Sequence, residues 1–169
     1  MHKIIRSIVY ADSENKALSS AKSVFDRLTE GQRPFDYYDM FDNGGTSHWG
    51  RRYPAVARLD SRTGKRMVVD GWRFTIREMR QHLNRIRKGI DSCKVSELLN
   101  DDPMLQYDFF SIGDYNGASC WLYDDDGSGI KHRDHLNNAL SKWKGIRFPY
   151  SDWDHEGLDV YIVPADVHY

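Results

Sequence analysis

An α+β fold is predicted by three features of this 169-residue chain. β-Branched runs stand at both ends, helical apolar periodicity lies between them, and Gly or Pro marks most junctions. Residues 3–10 (Lys-Ile-Ile-Arg-Ser-Ile-Val-Tyr) read as the first strand. Asp12 is placed to cap a helix in which Ala17, Leu18, Ala21, Val24, Phe25 and Leu28 recur at three- and four-residue steps. Gly31 and Pro34 mark its end. Residues 35–41 alternate as a second strand, and 43–47 are a loop by composition.

The stretch 54–71 is open to two readings: a hairpin turning at Ser61-Arg62-Thr63-Gly64, or a strand and a short helix ending at Gly71. Thr75 and Glu78 then have the spacing of a capping box. Behind them Ile76, Met79, Leu83, Ile86 and Ile90 repeat at 3, 4, 3, 4, which predicts a helix with that stripe turned inward. A short helix is expected near 95–99, ahead of Pro103. Strands are expected at 107–112 and 119–123, then a helix with Leu136, Ala139, Leu140 and Trp143 inward. A last strand at 158–163 should be limited by Pro164. This order, β-α-β, a mostly helical insert over about 43–104, then β-β-α-β, predicts one domain over 1–169. The expected form is a ferredoxin-like split β-α-β sandwich with its helices on one face.

Composition is that of an ordinary globular chain, 40% hydrophobic and 29% charged. No apolar run reaches the roughly 20 residues of a membrane span. Two cysteines do not make a disulfide framework, so a cytoplasmic location is expected. The net charge of −1 hides a segregation. Residues 51–94 carry 13 basic and 4 acidic groups, whereas 95–135 carry 2 and 9. Such asymmetry sets partners rather than fold.

The outer face opposite the predicted stripe carries Arg73, Arg77, Arg80, Gln81, Asn84, Arg87 and Lys88, side chains that donate to phosphates, carboxylates or base edges. These residues are the candidate binding site. Arg51, Arg52, Arg58, Arg62, Lys65 and Arg66 precede them, with Tyr53, Trp72 and Phe74 interleaved as potential stacking groups. The expected function is non-enzymatic binding of a polyanion: nucleic acid, a nucleotide or an acidic protein, including inhibition of a larger enzyme. The acidic segment that follows is a competing partner, within the chain or between copies in a homo-oligomer.

Enzyme motifs are absent: there is no phosphate loop, dinucleotide fingerprint, nucleophile elbow or zincin helix. No cofactor is expected. The second reading is a small metal-assisted hydrolase or nuclease in the Asp/His-rich C-terminal third. Asp124-Asp125-Asp126-Gly127-Ser128-Gly129 opens like a calcium loop, but His135 stands where the bidentate Glu belongs. His132-x-x-His135 and Asp152–Glu156 are its other candidate groups. Cys120, in a strand, reads as a buried inert thiol.

Overall fold

The computed structural model describes residues 2–30, 34–42, 53–92, 120–141 and 158–168. The expectations at 43–47, 95–99, 107–112, Trp143 and 152–156 lie outside them. The described elements are β1 (His2–Ala11), α1 (Glu14–Thr29), β2 (Tyr37–Met40), β3 (Ala57–Arg58), α2 (Arg62–Ser92), β4 (Leu122–Tyr123), α3 (Arg133–Ser141) and β5 (Asp159–His168). They form a mixed α+β structure around a mixed sheet of order β2-β5-β1-β4, with β3 also on β5.

β1 and β5 are antiparallel along their whole length, from His2 opposite His168 to Ala11 opposite Asp159. β2 and β3 are antiparallel to β5, and β4 is parallel to β1. β1 and β2 therefore point the same way with β5 between them. The one-sided helix layer expected of a ferredoxin-like sandwich is absent among the described residues. On β1, Ile5 and Val9 pack with Ala17, Ala21, Val24, Phe25 and Leu28 of α1, whereas Ile4 and Ile8 pack with Met67 and Val68 of α2. Alternate strand residues face opposite sides, so the two helices cover opposite faces. Residues expected in an insert thus build the second core layer. β1 is buried from Lys3 through Val9 because both faces are covered, including the polar Lys3, Arg6 and Ser7.

Three junctions differ from expectation. α1 has its N-cap at Ser13, while Asp12 accepts from the Ser13 hydroxyl and pairs with Lys16. β5 runs through Pro164 to His168. The amides of Leu59 and Asp36 donate to the carbonyls of Val160 and His168 at 2.8 Å, so even-numbered β5 residues aim their backbone polar groups at the β2/β3 edge. β3 pairs with 161–162 and β2 with 165–168. Pro164 falls in the gap, where no ladder partner asks for its missing N–H.

The third junction is the start of α2. Neither reading of 54–71 holds as stated: β3 leads directly into one 31-residue helix that passes through Gly71 and Thr75. Ser61 is its true cap, since its Oγ accepts from the Gly64 amide at 2.9 Å and its carbonyl from Lys65 at 3.0 Å. Gly64 is required there because a Cβ would run into the Arg58 carbonyl. Thr75 lies buried in mid-helix. Its hydroxyl donates to the Gly71 carbonyl (3.1 Å) and accepts from the Trp121 amide (2.9 Å), tying α2 to the segment before β4.

Candidate binding surface on the long helix

The longer helix changes which residues share a face. Its inner seam is Gly64, Met67, Val68, Gly71, Thr75, His82 and Ile86, all buried, with Glu78 half-buried among them. At about 100° per residue, the opposite side is a row of Arg62, Arg66, Arg73, Arg77, Arg80, Asn84 and Arg87, every one exposed. Gln81 and Lys88 are exposed on one flank of the row. The predicted site residues therefore occupy one helix surface, about 22 Å long from Arg73 to Lys88. Sequence reading missed that Arg62 and Arg66 belong to the same row. The signal was the Ser61 cap with arginines at steps of three, four and seven residues from 62, obscured by the resemblance of Ser-Arg-Thr-Gly to a turn.

The predicted inward stripe is rotated away from the core. Ile86 is buried and Ile76 and Met79 are half-buried, but Leu83 and Ile90 are exposed. The helix docks instead through small and polar residues because β1 sends an arginine into the interface. The Arg6 guanidinium has no solvent exposure. Its Nη1 donates to the Ile4 carbonyl at 2.6 Å and its Nη2 to the Tyr53 hydroxyl at 3.1 Å. Its Cδ would lie 3.1 Å from a Cβ at Gly71, so glycine there lets the helix approach. Tyr53 is thereby buried under Arg6, at 5.3 Å from ring to guanidinium, and is not a surface stacking group.

A second buried cation fixes the middle of the seam. Lys3 is fully buried, donates to Glu78 Oε2 at 3.3 Å and lies 4.7 Å from the Trp121 ring. Burial pulls its pKa down to about 8 against the opposing pull of Glu78. Burial pushes the Glu78 carboxyl upward, but hydrogen bonding from His82, the Lys3 charge and the Trp121 indole hold it below its ordinary value. Glu78, expected to cap the helix, is thus turned inward and is spent on Lys3.

The outer row is in a different state. Among the described residues, no ion pair holds Arg62, Arg66, Arg73, Arg77, Arg80 or Arg87. Arg77 lies 4.6 Å over the Phe74 ring, which packs on Trp121 at 4.8 Å. Trp72 packs against the core. Arg58 does not join the surface, because it bonds Asp60 at 3.1 Å and also Asp159. Of the acidic segment, Asp124 and Asp126 are engaged elsewhere. Asp124 bonds His135, and both Asp124 and Asp126 accept from the Ser128 amide, at 2.9 and 2.7 Å. Burial and the neighbouring Asp126 raise Asp124 to about 6.

That loop is closed on itself around Gly127, whose φ of 87° needs glycine. Among the described residues, no group of three His, Cys, Asp or Glu side chains could hold a metal. His132 is exposed, and His135 serves Asp124 instead of a shared ion. Cys120 is buried in the core with no exposure. No described helix is long and apolar enough to cross a membrane.

The fold and surface together define an α+β protein with a solvent-facing arginine row on its longest described helix. The chain belongs to the family described as a domain of unknown function (DUF7995), whose model matches residues 1–169. No curated protein and no solved structure matches it.

Proposed function

We propose that this chain is a non-enzymatic, single-domain binding or regulatory protein that engages a polyanionic partner through the outer face of α2, acting in the cytoplasm. The observation that carries the reading is the row itself. Arg73, Arg77, Arg80 and Arg87 are all exposed on one helix surface and make no ion pair among the described residues. Arginines at steps of three, four and seven residues, roughly 4.5 to 10.5 Å of rise along a rigid rod, present an extended positive field. Each is a fork suited to carboxylate or phosphate oxygens. Arg73, Arg77, Arg80, Gln81, Asn84, Arg87 and Lys88 are the binding residues in this account, and Arg62 and Arg66 extend them.

The test is fluorescence anisotropy of labelled polyglutamate and of a duplex DNA, titrated with the full chain over a range of salt. Binding should weaken steeply with salt, and R77A/R80A/R87A should bind at least tenfold more weakly. On duplex DNA the log–log salt slope should flatten by roughly 0.9 for each phosphate contact removed. Unchanged binding of both ligands by this variant would overturn the proposal.

A further inference from the structure

The stripe Ile76, Met79, Leu83, Ile86, Ile90 extends back through Trp72 and Val69, so apolar residues occupy 69, 72, 76, 79, 83, 86 and 90. These are the a and d positions of three consecutive heptads. The structure uses only part of this pattern for its own core. The d-type residues lean inward: Ile86 is buried and Trp72 and Met79 are half-buried. The a-type row lies outward at three of its four positions, with Val69 44%, Leu83 40% and Ile90 53% exposed and Ile76 half-buried. It runs along the edge of the arginine row. The e positions, next to it on the solvent side, are Arg73, Arg80 and Arg87, all exposed. The g positions begin with Thr75 and His82, both buried, so a partner can approach only from the a/e side.

We infer that α2 is one half of a heterotypic coiled-coil contact, and that its partner is an acidic amphipathic helix with apolar a and d residues and Glu or Asp flanking them. This deepens the proposed polyanion-binding function and rests on it. Three arguments select this occupant. A helix with a seven-residue apolar repeat covers spaced branched side chains, three of the four being β-branched as two-stranded seams favour. Nucleic acid offers no ridge that would cover Leu83 and Ile90. Charge complementarity then fixes the sign of the partner, because three e-position arginines demand carboxylates across the seam.

A second copy of this chain does not fit. Parallel pairing would set Arg73, Arg80 and Arg87 against the buried g residues Val68, Thr75 and His82. Antiparallel pairing would set arginine against arginine. The contact spans three heptads, about six helical turns and roughly 31 Å from Val69 to Ile90.

The test uses the full chain and a labelled 28-residue peptide with Leu at a and d and Glu at e and g, which like charges keep monomeric. Polyglutamate of equal charge and a 16-base-pair duplex serve as comparisons. The heptad peptide should bind at least tenfold more tightly than either. L83D/I90D, whose changes lie on exposed positions, should lose at least tenfold in peptide affinity with an unchanged urea midpoint. R73A/R80A/R87A should lose affinity and salt dependence together. Equal binding of the comparison ligands, no peptide binding, or no effect of L83D/I90D overturns the inference. If R77A/R80A/R87A still weakens polyanion binding in that case, the proposed function stands without it. A solution mass of the free chain that doubles and is halved by L83D/I90D assigns the row to a second copy and also overturns it.

Discussion

Lys3 and Arg6 on β1 have no solvent exposure, whereas Arg73, Arg77, Arg80 and Arg87 stand out in water on the far side of α2. The inner pair is committed: Lys3 to Glu78, Arg6 to the Ile4 carbonyl and the Tyr53 hydroxyl. The outer set makes no ion pair among the described residues. Identical charges therefore do different work. The buried ones hold the helix to the sheet at a cost in desolvation, and the exposed ones leave their hydrogen-bonding capacity for something else. A charge count along the chain cannot separate the two groups, and burial does.

The largest effect that would sharpen this contrast is at Arg6. R6A should destabilise the fold by about 3 kcal/mol, because it opens a cavity under Gly71 and strands the Tyr53 hydroxyl and the Ile4 carbonyl. Urea unfolding measures it, and a cost under 1 kcal/mol would break the account of the inner seam. E78A should cost a similar amount, about 3 kcal/mol, since it leaves Lys3 buried without its carboxylate.

Lys3 also predicts a pH dependence. The unfolded chain keeps this proton up to about 10.5, and the folded one releases it at about 8. Between those values the unfolded state binds more protons, so stability rises with pH. The burial penalty is complete below about pH 8 and is relieved toward 10.5, a change of about 3 kcal/mol over the window. K3M should flatten that rise relative to the wild type in urea titrations at pH 7.5, 9 and 10.5. Parallel curves for the two proteins would show that Lys3 is not the cause. The smallest effects belong to the outer set. R77A, R80A or R87A singly should shift stability by no more than about 0.5 kcal/mol.

Much of the sheet was legible. The runs at 3–10 and 158–163 announced β1 and β5, and the period of α1 named its five buried residues, because both follow directly from alternation and helical pitch. The second helical layer was not. Thr75 and Glu78 have the spacing of a cap, and nothing local says that Ser61 already performs that task fourteen residues earlier. The seam was misassigned by about 80° of rotation because the sequence offers an apolar stripe at 76–90. The sheet, however, accepts Gly71, Thr75 and Glu78 around two buried cations supplied by β1. Those cations sit in a strand that pattern reading would face with hydrocarbon. That Arg73, Arg77, Arg80 and Arg87 share one helix face was readable, since four arginines need only helical spacing. What the stripe beside them does was not, because its meaning depends on which side of the helix the fold leaves uncovered.

The central claim is that the outer face of α2 binds a polyanion. Its most direct test is the anisotropy titration of polyglutamate and duplex DNA against the wild type and R77A/R80A/R87A across salt concentrations. The account predicts steeply salt-dependent binding by the wild type, at least tenfold weaker binding by the variant, and equal urea midpoints for the two proteins. Binding that is indifferent to those three arginines would contradict it.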